Sequence, residues 1–412
     1  MGTNLGNGTS LLNTLALTTD AAFAELQDEW DDLLDASDQR VYFLRRAWNQ
    51  IWWQAFRPAD SHLFIITCRD RNNQLVGLAP FYIRHRRTLG IEHVREVLFL
   101  GTGIYAQTSE YLDLIARRGY EKSVAGAVLG FLSQSEDWDK LSLHEIPASS
   151  TLLPHLRNAL GKNAEVVAST HAHSIDTSRD WETFKSTLGR TTRQNTMRLT
   201  RRLMESYDCK FSRVETSDQL QTAMDALVRL HQLRWQAKGE PGSFAIPGTE
   251  DLLRGAAQAA LAEGRLRLWV LELNRQIVAV QLAFLDNGVA HCFQVGFDPQ
   301  YGKDSVGKIM LLWCVRACIE DPAVREYDLM GGDQPYKDWW AKTSRESLKL
   351  TWMRFGMRSL AYTSIKLADR MSRSVAKAVL PASIITAGHR MMLRRHYSLA
   401  RNVSSPLSLG SR

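Results

Sequence analysis

The chain has 412 residues, 44% of them hydrophobic, and a formal net charge of +7. That length exceeds what one hydrophobic core usually organises and predicts two domains. No window offers the roughly 18 uninterrupted apolar residues of a membrane span, and the first residues, MGTNLGNGTSLLNTLALTT, hold no Lys or Arg for a secretory leader, so a cytoplasmic protein is expected. Residues 357–412 contain ten Lys and Arg against one acid, Asp369, which places the basic character of the chain in its tail. The five cysteines, Cys68, Cys209, Cys292, Cys314 and Cys318, form no Cys-x-x-Cys pair and are predicted to be free thiols in a reducing compartment, with no metal site.

In chain order, apolar residues at Phe23, Leu26, Trp30, Leu33 and Leu34 predict an amphipathic helix over 21–36, with Asp20 as its cap. A second helix over 44–56 gathers Trp48, Trp52 and Trp53, which read as core residues. LFIITCRD and QLVGLAPFYIR flank the turn formers Arg71, Asn72 and Asn73 and predict a hairpin. VREVLFLG follows as a strand, residues 119–132 as a helix and DKLSLHEI as a strand. The same order returns later. LRLWVLELNRQIVAVQLAF over 266–284 aligns with LFIITCRDRNNQLVGLAPF over 63–81, and a strand over 289–297, a helix over 305–320 and a strand over 325–330 follow it. A duplicated α/β unit with mixed sheets is the expected architecture. Between the copies, 218–238 and 249–263 read as helices.

The chemistry is expected in the second copy. Residues 297–308, FDPQYGKDSVGK, link a strand to a helix, where free amides and the helix dipole suit a phosphate. Lys303 and Lys308 add charge. Gly296, inside the preceding strand, marks either a bulge or the close approach of another backbone or ligand. A bulge would free main-chain groups of Val295, Gly296 and Phe297 for an extended amide ligand such as the pantetheine arm of coenzyme A. The loop lacks the spacings of a P-loop or a dinucleotide fold.

These features resemble the acyl-CoA site of the GNAT N-acyltransferase superfamily, and more specifically GNAT-like acyltransferases associated with bacterial polysaccharide synthesis and related to Fem-type aminoacyltransferases. The resemblance runs from about residue 21 to 354. It is carried by WNQIWWQAF (48–56), VGLAP (76–80), residues 138–146, Leu230-His231-x-x-Arg234-Trp235, Gly296-Phe297-Asp298-Pro299, Ser305-Val306-Gly307 and residues 328–339. The usual glycine pattern of the GNAT loop is reduced here to Gly307. The resemblance implies two tandem GNAT-like domains over 20–178 and 179–356, a flexible segment over 1–19 and a basic helical tail over 357–412. It also implies an acyl-CoA co-substrate, acetyl-CoA or another, held by Val295, Gly296, Phe297, Lys303, Ser305, Val306, Gly307 and Lys308.

Amide formation requires a neutral amine and a protonated leaving thiol. An amine of pKa about 10.4 is deprotonated at pH 7 at a cost of about 4.6 kcal/mol, so an acid and a base are expected past the last strand. The cluster Asp328, Asp333, Tyr336 and Lys337 occupies that place. Tyr336 is expected as the acid, as the resemblance implies, with Asp333 as base or acceptor-orienting group and Lys337 at a developing oxyanion or a phosphate. Asp328 is a further catalytic candidate or a strand-end cap. His231, Arg234 and Trp235 share one side of a helix and form either an acceptor wall or a packed core edge. The acceptor is expected to be an amine of a sugar or cell-envelope precursor. The alternatives are an aminoacyl-tRNA donor and a catalytically silent scaffold of a polysaccharide-synthesis complex. Arg190, Arg193, Arg198, Arg201 and Arg202 make one helix over 184–204 basic: a solvated face, a site for an anionic acceptor, or one for RNA. The absence of a recognised nucleic-acid module disfavours nucleic acid except tRNA in the aminoacyl reading. The tail is compatible with peripheral contact to an anionic membrane.

Overall fold

A computed structural model describes residues 12–88, 91–104, 108–332, 334–356, 358, 362 and 364. The expected flexible start up to residue 11 and nearly all of the basic tail lie outside them. The first half comprises β1 (Asn13–Leu17), α1 (Asp20–Glu25), α2 (Gln27–Asp35), α3 (Arg46–Phe56), β2 (Ser61–Leu63), β3 (Ile65–Arg69), β4 (Leu75–Ala79), β5 (Phe81–Thr88), β6 (Ile91–Phe99), β7 (Ile115–Ala116), α4 (Glu121–Gln134), β8 (Lys140–Pro147), α5 (Leu153–Leu160) and β9 (Glu165–Asp176). The second comprises α6 (Trp181–Thr187), α7 (Arg190–Ser206), β10 (Cys209–Arg213), α8 (Ser217–Gln236), α9 (Thr249–Ala262), β11 (Leu266–Leu273), β12 (Gln276–Asp286), β13 (Val289–Phe297), α10 (Val306–Glu320), β14 (Glu326–Gly331), α11 (Lys337–Trp340) and β15 (Thr343–Met353).

The duplicated pattern is an α/β architecture in which each half closes a parallel strand pair with a crossover helix. β6 and β8 pair in parallel around α4, and β13 and β14 around α10. Eleven strands form one sheet in the order β10-β11-β12-β13-β14-β9-β15-β8-β6-β5-β2, and β1-β3-β4-β7 form a second. The halves exchange strands. β9 pairs with β14 and β15, while β15 returns to pair with β8.

Two local expectations are corrected. The helix over 21–36 breaks into α1 and α2 around Leu26, and Asp20 does not cap it: its carboxylate accepts from Trp53 Nε1 at 3.0 Å and pairs with Arg57. The basic helix over 184–204 also breaks, because buried Leu188 adopts an extended backbone and Gly189 restarts the chain as the N-cap of α7.

The halves share a core. Trp48 and Trp52 are completely buried, Tyr42 stacks on Phe284 at 4.4 Å, and Trp48 meets Phe293 edge-on at 5.3 Å. Arg45, which precedes α3, grips Asp286 at the end of β12 through Nε–Oδ2 of 2.5 Å and Nη2–Oδ1 of 3.0 Å, with both side chains buried. All five cysteines are free.

Candidate active site

β13 and β14 pair only at Val289–Glu326, Ala290–Tyr327 and His291–Asp328, then part. Each strand carries the cause of its departure. Phe293 is an extra residue on β13, since Leu282 pairs with Gln294 while Ala283 pairs with Cys292. At the end of β14, Met330 takes a left-handed backbone (φ 61°), and its N–H donates to Asp328 Oδ1 at 2.8 Å. Lys337 Nζ then donates to the carbonyls of Met330 and Gly331 at 2.9 and 2.6 Å, locking the turn. The bulge therefore lies at Phe293 and not at Gly296, which pairs regularly with Val280. Gly296 is required by close approach: a Cβ there would lie 2.8 Å from His231 N and 2.9 Å from Leu227 O of α8.

Two cavities occupy the divergence. The first, of about 320 Å³, is bounded by Val295 and Phe297 of β13, the segment Ser305–Lys308 and Trp340. Ser305, at φ 57° and ψ 36°, ends the turn after Phe297 and starts α10, whose first amides have no intrahelical acceptor. The single glycine of the loop has a steric reason, since a Cβ on Gly307 would meet the Phe297 ring at 2.8 Å. Val295 lines this cavity, and its N–H donates to Gln294 Oε1 at 3.3 Å. An open strand edge leading to a helix N-terminus fits an amide-bearing arm that ends in pyrophosphate. Lys308 lines this cavity, its Nζ 5.8 Å from the Trp339 ring; Lys303 is exposed outside it, and Gly296 lies under α8.

The second cavity, of about 310 Å³, is walled by Arg234 and Trp235 of α8, by Lys238 just beyond its end, by Lys337, and by Thr108, Ser109 and Glu110 from the first half. The tryptophans of α3 hold that first-half loop, with Trp48 Nε1 donating to Ser109 Oγ and Trp52 Nε1 to Thr108 Oγ1, both at 2.8 Å. Arg234, Cys292, Val295, Leu329 and Tyr336 line both cavities, so the two spaces meet at Tyr336.

Although the residue as a whole is 37% exposed, burial, with a smaller contribution from Cys292, pushes the Tyr336 hydroxyl up to about 12 against the pull of Arg234, which keeps it a proton donor at neutral pH. Arg234 stands over the Phe297 ring at 4.6 Å and is depressed by burial; its Nε has no hydrogen-bond partner, and it forms no ion pair among the described residues. Glu110 is raised to about 8 by burial and by Asp328, more than the Gly331 N–H and Lys337 can offset.

Of the expected catalytic set, Tyr336 and Lys337 line the site, and Asp333 lies outside the described residues. Asp328 sits behind the cavities, fully buried, paired with His291 Nδ1 at 3.2 Å. Burial would raise its carboxyl, but His291, Tyr111 and the Met330 N–H together outweigh burial and hold it below the usual range. Arg234 and Trp235 line the second cavity. His231 does not reach it: it is buried, hydrogen-bonded to Gln232 at 3.2 Å and Ser243 at 3.3 Å, and pushed down to about 4 by burial. Protonation on Nδ1 satisfies both contacts, since Ser243 Oγ already accepts from Gln294 Nε2 at 2.8 Å.

Glu110, Thr108, Ser109 and Lys238 escape sequence reasoning. The first three sit in a polar run with no periodicity, and their only cue is that polar residues there precede the apolar stretch YLDLIA. Among the described residues, no group of three or more His, Cys, Asp or Glu is placed to hold a metal.

Residues 190–338, from the start of α7 into α11, match the acetyltransferase (GNAT) domain family. No curated protein matches the chain. Among solved structures, FemX superposes with a TM-score of 0.58 at 9% identity, over 86% of this chain and 99% of that one. L-PGS from Bacillus licheniformis superposes at 0.50 with 12% identity, over 84% and 96%. A conserved protein of unknown function from Bacteroides thetaiotaomicron VPI-5482 superposes at 0.50 with 11% identity, over 82% and 100%. At such identities the likeness is one of fold. The second half of the chain thus matches a GNAT acetyltransferase domain, set within a fold similar to that of FemX.

Proposed function

We propose that the protein is an N-acyltransferase that moves an acyl group from an acyl-CoA, acetyl-CoA in the simplest case, to an amine of a sugar or cell-envelope polysaccharide precursor. The observation that carries this is the meeting of two cavities at Tyr336. One has the strand edge and helix N-terminus suited to a CoA donor, and the other a polar wall suited to an amine-bearing acceptor.

In this reading the acceptor nitrogen attacks the thioester carbonyl, the C–S bond breaks, and the thiolate takes a proton from Tyr336. Both reactants are held in one cleft, so proximity supplies much of the rate. Arg234, reaching both spaces and paired with no carboxylate among the described residues, neutralises charge where they join. Lys337 is committed to the Met330 and Gly331 carbonyls and acts by holding the turn that carries the rim.

The test is calorimetry with acetyl-CoA at millimolar concentration, followed by release of free CoA thiol in the presence of candidate amines. Absence of binding heat removes the donor assignment. An aminoacyl-tRNA donor is a second reading, favoured by α7: Arg190, Arg193, Arg198 and Arg201 engage no carboxylate among the described residues, and three of them line an open groove of about 630 Å³. Activity that survives ribonuclease treatment counts against it. A peripheral, cytoplasmic location goes with either reading; among the described residues no helix is long and apolar enough to cross a membrane.

A further inference from the structure

We propose that Glu110, contributed by the first half of the chain, is the proton acceptor for the incoming amine, so that the active site is completed across the two halves. This rests on the acyl-transfer reading above.

Elimination supports the assignment. Among the described residues Glu110 is the one carboxylate that lines either cavity. Asp328 is closed off by His291 and Met330 N, and Glu145 is engaged by Thr170 Oγ1 at 3.0 Å, outside both cavities. Glu110 is only 6% exposed, and its two oxygens share one donor, Gly331 N, at 2.9 and 2.8 Å. One N–H fixes the carboxylate and leaves lone pairs for an acceptor. The approach needs a glycine, since a Cβ on Gly331 would lie 3.0 Å from Glu110 Oε1. Gly331 is itself held by Lys337, one residue from Tyr336, so the proposed base and the acid belong to one rigid corner.

The charged groups acting on Glu110 are Asp328 and Glu145, which raise its proton affinity, and Lys337, which lowers it; Arg234 and Lys238 line the same cavity. With burial these hold it near pH 8 in the empty site, and a cationic amine entering the cavity draws that value down. The ammonium then passes its proton to the carboxylate, the freed nitrogen attacks the thioester carbon, and the thiolate leaves with the Tyr336 proton. The acylated nitrogen releases its second proton as the C–S bond breaks, which restores Tyr336, and the proton on Glu110 is returned to solvent after the product departs.

The test uses the full chain and Glu110→Gln, which keeps the shape and an oxygen for Gly331 N–H. Infrared difference spectra of the two proteins, titrated with pH, are expected to show a carboxylic acid band that disappears with a midpoint near 8; a midpoint in the ordinary glutamate range overturns the proposal. Thiol release from acetyl-CoA, measured with glucosamine and spermidine as acceptor probes and with water alone, is expected to fall about 10²- to 10⁴-fold in the variant and to lose its acid limb. Calorimetric affinity for acetyl-CoA is expected to remain unchanged. A variant that retains the parent rate and pH profile overturns the base assignment. Failure of the parent protein to bind acetyl-CoA overturns the acyl-CoA reading and the proton transfer built on it, while leaving the raised carboxyl visible in the infrared.

Discussion

Substituting Gly296 by Ala tests whether the packing of α8 on β13 sets the active-site geometry. The new Cβ would lie 2.8 Å from His231 N and 2.9 Å from Leu227 O, backbone atoms that cannot rotate away, so the helix and strand must separate by about half an ångström to reach ordinary contact. Overpacking of this kind costs about 1–3 kcal/mol. At about 2–4 °C per kcal/mol for a domain of this size, the melting temperature is expected to fall by roughly 2–12 °C. α8 also carries Arg234 into the junction of the two cavities, and misplacement on this scale lowers turnover by about 10²-fold when it disturbs the reacting geometry. Thermal unfolding and acetyl-CoA thiol release on the same preparation read both effects. A Gly296→Ala protein with unchanged melting temperature and turnover would refute the close-approach account and return the glycine to an ordinary strand position.

Removing one partner of the buried Arg45–Asp286 pair by Asp286→Ala leaves a guanidinium, 3% exposed, with only the partly exposed Asp35 and Asp31, the latter at 3.9 Å, and is expected to cost about 3–5 kcal/mol in urea unfolding. Recovery in the double variant Arg45→Met, Asp286→Leu would show that the loss is that of an orphaned charge. Tyr336→Phe is expected to lower kcat about 10²- to 10⁴-fold while leaving the acetyl-CoA affinity intact; an unchanged kcat assigns the leaving-group proton elsewhere. Glu96, on the parallel strand pair of the first half, is depressed to about 2: burial would raise it, but Lys140 at 2.6 Å and Arg86 outweigh burial. Its folded pKa lies below the unfolded one, so its contribution to stability is present above about pH 4.5 and is lost as the pH falls toward 2. Glu96→Gln should flatten the acid limb of the stability curve, and an unaltered limb would mean that the ion pair does not form.

Short-range patterns in the sequence foretold most of the elements. The 3.6-residue period of α3, α8 and α10 survives in the structure because it follows from which side of one helix meets apolar neighbours, and the continuous apolar runs of β11 and β12 form a hairpin buried on both faces. The same logic located the strand-loop-helix junction at Phe297–Val306, since a glycine-bearing polar turn between two apolar runs admits few conformations. Gly296 shows the limit: its presence in a strand announced an irregularity, but only α8 lying against it decides between a bulge and a close approach. His231 and Asp328 likewise carry the residue types of a site, and only their partners, Ser243 and His291, show that they serve packing and positioning. Glu110 is the reverse case. It sits in an unpatterned run 221 residues from Gly331, and no local rule could bring the two together. That contact exists because the halves share a core through Trp48, Tyr42 and Phe284 and exchange β9 and β15. Local residue pattern determined the elements of this protein, because periodicity and turn chemistry act over a few residues. The tertiary structure alone decided the site, because burial, charge and hydrogen bonding there depend on groups that the chain brings together only after both halves have packed.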